Sequence, residues 1–282
     1  MAQWNKDEQA YRAQDTTNFE VVMIADEDGN PLNSYGSAAN IPIAAGQLEG
    51  YSSIEKFGRN PSVATSIETV WDRGGIYEYL TSAVAVYAYS ANAADGLTGT
   101  GARKITIQGL DTDYNLVQEE VTVNGAASIQ TFLRVYRAFI TEAGSDGYNK
   151  GDVVISTAAS GAGTVLAQIG GDGTGVNYIG FGQTMLALYT VPVGKTAYLT
   201  QWTIGAADYN TATSAFLRTR LPVNGFVMTT SDTMSVSGGF HVKNYSVPLK
   251  FNEKVDIEVQ AFNGAGTQVS STFNLILLDN GD

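Results

Sequence analysis

The stretch GARKITIQGLDTDYNLVQEEVTVNG, residues 101–125, decides the class of fold. Residues 103–109 alternate apolar and polar side chains, Gly109–Asn115 is rich in turn formers, 116–123 alternates again, and Asn124-Gly125 is a second turn. A period of two places one face of a strand on a core and the other in water. About fifteen stretches of the chain share this pattern and stop at Gly, Asn or Asp, which predicts an all-β protein.

Working outward, one set of strands is expected at 76–80, 83–89, 103–109, 116–123, 131–141, 152–157 and 164–169, and a second at 184–191, 195–204, 214–221, 225–229, 240–248, 254–262 and 267–278. Each is the size of a sandwich. Gly170-Gly-Asp-Gly-Thr-Gly175 is the candidate linker between them, and 67–75 a junction before the first. Residues 18–25 read as a further strand and Asp28-Gly29 as a hairpin turn. Residues 31–66 hold Pro31, Pro42 and Pro61 and four glycines, a density of breakers that argues against a sustained element. The expected architecture is therefore an extended N-terminal arm over 1–65, then two antiparallel β-sandwich, jelly-roll-like domains at 66–175 and 176–282.

Composition narrows the function. The 282 residues carry 16 Lys and Arg against 28 Asp and Glu, a net charge of −12 that repels phosphate backbones and argues against a nucleic-acid partner. The charge is uneven: residues 1–60 hold four basic against nine acidic side chains, residues 161–250 five against three. That asymmetry suits either self-assembly or soluble acidic loops. There is no cysteine, which excludes disulfides, thiolate catalysis and zinc–cysteine sites. No apolar run reaches the length of a spanning helix and the start lacks a signal-peptide core, so a soluble protein made in a cytoplasm is expected, with no membrane partner.

Candidate chemistry is thin. His241, the single histidine, lies in an alternating strand with Lys243 and Tyr245 on its face, and no Gly-x-Ser-x-Gly elbow accompanies it, so it reads as surface or interface. The acidic stretches 26–30 and 111–115 lack the spaced ligands and closing glutamate of a calcium loop and read as hairpin turns. The glycine strings 96–101 and 170–175 open no helix that could cradle phosphate. Four carboxylates could in principle form a glycosidase pair: Glu119, Glu120, Asp256 and Glu258. Asp256 and Glu258 share one face of a strand whose Val255, Ile257 and Val259 claim the core, so both acids are expected to face solvent or a neighbour. Tyr87 and Tyr89 give one strand end an aromatic face, suited to a subunit contact or to a glycan. No catalytic, cofactor-binding or metal residue is assigned, and no cofactor is expected.

One further signal comes from wording. ETVWDRGGIY (68–77), GTGAR (99–103), GLDTDYN (109–115), VTVNG (121–125), RVYR (134–137) and AGSDG (143–147) resemble a family of virion structural proteins from tailed bacteriophages, notably marine ones. LALYTVPVGKTAYLT (186–200) and PLKFNEKVDIE (248–258) look like the same family, so the likeness covers most of the chain after about residue 50. The sparse charge of residues 90–94 departs from it at a loop tip. The resemblance implies a non-enzymatic virion protein with no catalytic motif to carry over. Its expected role is capsid decoration or cement, held by the N-terminal arm to a major capsid or other virion protein and self-associating, with a trimer favoured. The alternative is a head-fibre or tail-associated adhesin that binds host surface glycan.

Overall fold

In the computed structural model the described residues are 3–5, 10–14, 20–25, 31–32 and 40–281 except 172–178, 222–226 and 264–265, with side chains described from residue 41. The chain divides into two units, Met1–Ser52 and Ser53–Asp282. In the first, β1 (Gln3–Asn5), β2 (Ala10–Gln14), β3 (Glu20–Ala25) and β4 (Pro31–Leu32) pair in chain order as an antiparallel meander, with Trp4 opposite Tyr11, Tyr11 opposite Met23 and Ile24 opposite Leu32. Where the sequence suggested an extended arm, the described residues form short strands that pair with one another. Pro31 is tolerated because it opens an edge strand, where its missing N–H breaks no ladder. A short helix, α1 (Asn40–Ala44), follows. The acidic turn 26–30 lies outside the described residues, as does most of the expected linker 170–175.

The second unit begins with a strand the breaker count argued against. β5 runs from Tyr51 to Val63 across Gly58 and Pro61. It survives because it is the edge of its sheet, where Pro61 costs no central hydrogen bond. Gly58 is needed there: a Cβ would lie 2.2 Å from the Val70 carbonyl oxygen and 2.3 Å from the Ala187 nitrogen.

From there two sandwiches form. The first set contributes β7 (Tyr87–Ser90), β8 (Ala102–Leu110), β9 (Leu116–Thr122), β10 (Arg134–Ala143), β11 (Val153–Ser156) and β12 (Val165–Ile169), in sheets ordered β10-β8-β9 and β12-β11-β7. Ile105, Ile107, Phe132, Val153, Ile155 and Leu166 close between them as a dry core. The second set contributes β13 (Leu188–Thr190), β14 (Lys195–Ala206), β15 (Thr213–Leu221), β16 (Val227–Val236), β17 (Gly239–Phe251), β18 (Asp256–Phe262) and β19 (Thr267–Asp279). One sheet runs β13-β18-β15-β16, with β6 (Glu68–Thr69) on β18; the other runs β17-β14-β19-β5. Between them lie Leu199, Trp202, Leu217, Ile257, Val259 and Phe273. The buried Trp202 indole donates to Ser271 Oγ at 3.0 Å, so its one polar atom is satisfied inside the core. The all-β expectation holds and most strand positions match, though β7 and β13 cover only part of the stretches expected at 83–89 and 184–191. The expected strand at 76–80 is irregular backbone instead.

The two sandwiches are not independent. Leu110, Tyr114 and Leu133 of the first pack with Val193 of the second, and Trp71, Tyr77, Val165, Leu186 and Leu188 form a further shared cluster. Contacts accordingly group Ser53–Asp282 as one unit, with the division falling at residue 52.

Candidate functional site

The acids singled out in the sequence converge where the sandwiches meet. β18 is buried on both faces: Ile257 and Val259 enter the second core, and Asp256 and Glu258 point the other way into the first sandwich. Asp256 is 0% exposed and Glu258 1%, so of the two expected settings, solvent or a neighbour, both acids take the neighbour. Period two assigns the polar face to water only when nothing covers that face.

What covers it is Arg134, itself 1% exposed, at the start of β10. Arg134 Nε donates to Asp256 Oδ1 at 2.8 Å and Nη2 to Oδ2 at 3.0 Å, a bidentate fork. Arg134 Nη1 donates to the Leu80 and Leu133 carbonyls, both at 2.9 Å. Asp256 Oδ1 also accepts from Thr190 Oγ1 at 2.6 Å, and Arg220 Nη1 stands 3.9 Å from Oδ2. Glu258 accepts from Thr69 Oγ1 at 2.5 Å, Gln260 Nε2 at 2.9 Å and Tyr79 Oη at 2.9 Å. The Tyr79 ring lies between the guanidiniums, 4.0 Å from Arg220 Cζ and 5.0 Å from Arg134 Cζ. Tyr77 and Trp71 extend this aromatic stack edge to face, with centroids 4.9 and 5.3 Å apart.

Two cations thus balance two carboxylates, with Arg134, Asp256 and Glu258 buried and Arg220 partly exposed. Burial pushes the Glu258 carboxyl above its usual range, partly offset by the hydrogen bonds from Thr69, Gln260 and Tyr79. Burial, and then the Glu258 and Asp256 charges, push the Tyr79 phenol well up. Shifted groups of this kind mark catalytic sites in many proteins. Here the carboxylate oxygens already face fixed donors and meet no solvent, so neither acid can reach a water or a glycosidic oxygen. The arrangement locks two sandwiches together.

The other candidates are also structural. Glu119 caps a turn by accepting from the Ile129 and Gln130 amides at 2.9 and 2.7 Å, and Glu120 pairs with Lys104 at 3.1 Å on the surface. Asp111 Oδ1 accepts from the Asp113 and Asn115 amides at 2.8 and 2.9 Å, closing the β8–β9 turn. His241 is exposed on β17 opposite Ile204. The glycine string 96–101 surrounds Asp95, whose carboxylate accepts from Ser90 Oγ and the Ala102, Lys150 and Gly151 amides at 2.7–3.0 Å. A Cβ at Gly101 would lie 2.2 Å from Asp95 Oδ1, so that glycine serves close packing.

Sequence reasoning missed Arg134, Asp95 and Lys56. For Arg134 and Asp95 the only signal was a charged residue inside an apolar or glycine-rich run; Lys56 gave none. Tyr87 and Tyr89, flagged as an aromatic strand end, are half-buried and line an open pocket of about 190 Å³ with Asn124 and Ser160. Among the described residues no helix is long and apolar enough to cross a membrane.

No family model matches the chain, and no curated protein matches it. Among solved structures it is similar to that of the infectious bursal disease virus Gx strain (8% identity, 82% of this chain and 71% of that chain, TM-score 0.21). It is also similar to the VP2 subviral particle of infectious bursal disease virus (11% identity, 83% and 73%, TM-score 0.22) and to the Gt strain of that virus (11% identity, 83% and 74%, TM-score 0.20). At these scores the likeness has no bearing on what the chain does.

Proposed function

We propose that the chain is a non-enzymatic structural component of a virion, made in the host cytoplasm and built into the particle as a capsid decoration or cement protein. In this reading the N-terminal 65 residues anchor it to a major capsid or other virion protein, and the β-sandwiches associate with copies of themselves, as a trimer. The phage-like wording of residues 65–151 motivates the reading. The observation that carries it is a pair of open sheet edges. Among the described residues β16 pairs only with β15, and β17 only with β14. These edges expose Val227, Phe240 (64%), Val242 and Val247 (80%). A free edge with exposed apolar side chains is a template for association unless a partner covers it. On a symmetric shell, weak contacts repeated around each copy add up as avidity.

The test joins particle and solution measurements. The chain should co-purify with washed particles in many copies and raise their heat tolerance when added back. The purified chain should sediment as an oligomer that Phe240→Asp with Val247→Asp dissociates. Absence from washed particles, or a monomer indifferent to those substitutions, sinks the reading. The alternative, an adhesin, is favoured by the Tyr87–Tyr89 pocket, since aromatic walls beside Asn and Ser suit a sugar ring. It requires host-cell binding that Tyr89→Ala removes without altering particle assembly.

A further inference from the structure

Between β5 and β10 lies a cavity of about 430 Å³ that the lock between the sandwiches does not use. At its wall is Lys56, 7% exposed, held by a hydrogen bond to the Tyr136 carbonyl oxygen. An ammonium has three N–H donors. Burial, reinforced by the Arg137 guanidinium, pushes the Lys56 amine down to about 7. Arg137 is fixed in its plane by Phe139, 4.7 Å from its Cζ, and by Nη2 donating to Gln183 Oε1 at 3.2 Å. Thr184 Oγ1 accepts from the Ala138 amide at 3.1 Å, which leaves its own hydrogen free to donate. Ile54, Phe57 and the Tyr136 ring supply apolar wall. Glu55 also lines the cavity and is exposed.

Two cations, one of them buried, converge there against one exposed lining carboxylate, Glu55, in a protein of net charge −12. A buried cation without a carboxylate is costly unless it gives up its proton or an anion completes it. The volume is that of a small-ligand site. We propose that this cavity binds a small organic monocarboxylate, whose oxygens take N–H donors of Lys56 and Arg137 and whose apolar body lies against Tyr136 and Phe57. Glu55 selects against a second negative charge on the ligand. The binding form of Lys56 is the ammonium.

The probe is benzoate, with succinate and inorganic phosphate as comparisons at matched ionic strength, titrated into the full chain by calorimetry at pH 6 and pH 8. Benzoate should bind saturably and more tightly than either comparison. Its Kd should rise on going from pH 6 to pH 8, because the amine must be charged. Lysine Nζ resonances should show the Lys56 midpoint moving up when benzoate is present. Lys56→Met should weaken binding roughly ten-fold or more, the scale of losing a charge-assisted contact. Arg137 is exposed, so Arg137→Gln keeps the fold and decides the matter should Lys56→Met fail to fold; it should weaken binding several-fold. No saturable benzoate binding, phosphate or succinate binding as tightly as benzoate, or unchanged affinity in either folded variant overturns the proposal.

Discussion

Asp256→Asn tests whether the two sandwiches are held by their buried ion pair. The substitution keeps shape and one acceptor oxygen but removes the charge facing a guanidinium that is 1% exposed. Two charge-assisted bonds, at 2.8 and 3.0 Å, are weakened or lost. Each is worth roughly 1.5–3 kcal/mol, and breaking a buried pair from one side costs about 3–5 kcal/mol. Arg134 retains its bonds to the Leu80 and Leu133 carbonyls, which places the expected loss at the lower end, near 3 kcal/mol. Arg134→Met should cost a similar amount, because Asp256 is then left buried with Thr190 and the more distant Arg220. The double variant Arg134→Met with Asp256→Leu removes both charges and should lie within about 1 kcal/mol of wild type. Urea unfolding followed by tryptophan emission reads all three, since Trp71 lies in the shared cluster and Trp202 in the second core. A loss below about 1 kcal/mol in either single variant, or a double variant as costly as the two singles summed, would refute the reasoning.

Four other outcomes follow from the same coordinates. Glu258 has a folded pKa raised by burial above its ordinary 4.5. The wild type therefore loses stability as pH climbs from 4.5 through the folded pKa, and Glu258→Gln should gain on it across that window, measured as urea midpoints at several pH values; the opposite trend refutes this. Lys56 has a folded pKa lowered to about 7 from 10.5, so the penalty of its charge is full below pH 7 and fades toward 10.5. That shift is worth on the order of 5 kcal/mol, against about 1–2 kcal/mol for the lost bond to Tyr136, so Lys56→Met should stabilise the ligand-free chain at pH 6 and not at pH 10.5. Asp95→Ala strips four donors of their acceptor and should cost about 2–4 kcal/mol, with faster amide exchange at Ala102, Lys150 and Gly151. Gly58→Ala drives a methyl into the Val70 carbonyl and should cost about 3 kcal/mol or abolish soluble expression.

Strand positions were legible because period two is local: Ile105 and Ile107 mark an inner face whatever lies beyond the sheet. What failed depended on distant partners. For Asp256 and Glu258 the alternation left solvent or a neighbour open, because nothing near them in sequence announces Arg134, 122 residues away from Asp256, or Tyr79, 179 away from Glu258. The breaker count argued against β5 because it ignores position in a sheet; at an edge Pro61 is harmless, and Gly58 is required by Ala187. Lys56 gave no signal because its cavity exists only once Tyr136 and Arg137 are folded opposite it.

The long reach of the lock bears on how the protein is made. Arg134 leaves the ribosome well before Asp256, and β5, near the start of the second unit, must wait for β19 before its sheet can close. Until β18 has emerged, the nascent first sandwich carries an uncompensated guanidinium on the surface that β18 will later cover. The first sandwich is therefore expected to reach its final form only once β18 has been made, and a chain terminated before Asp256 should be handed to proteolysis.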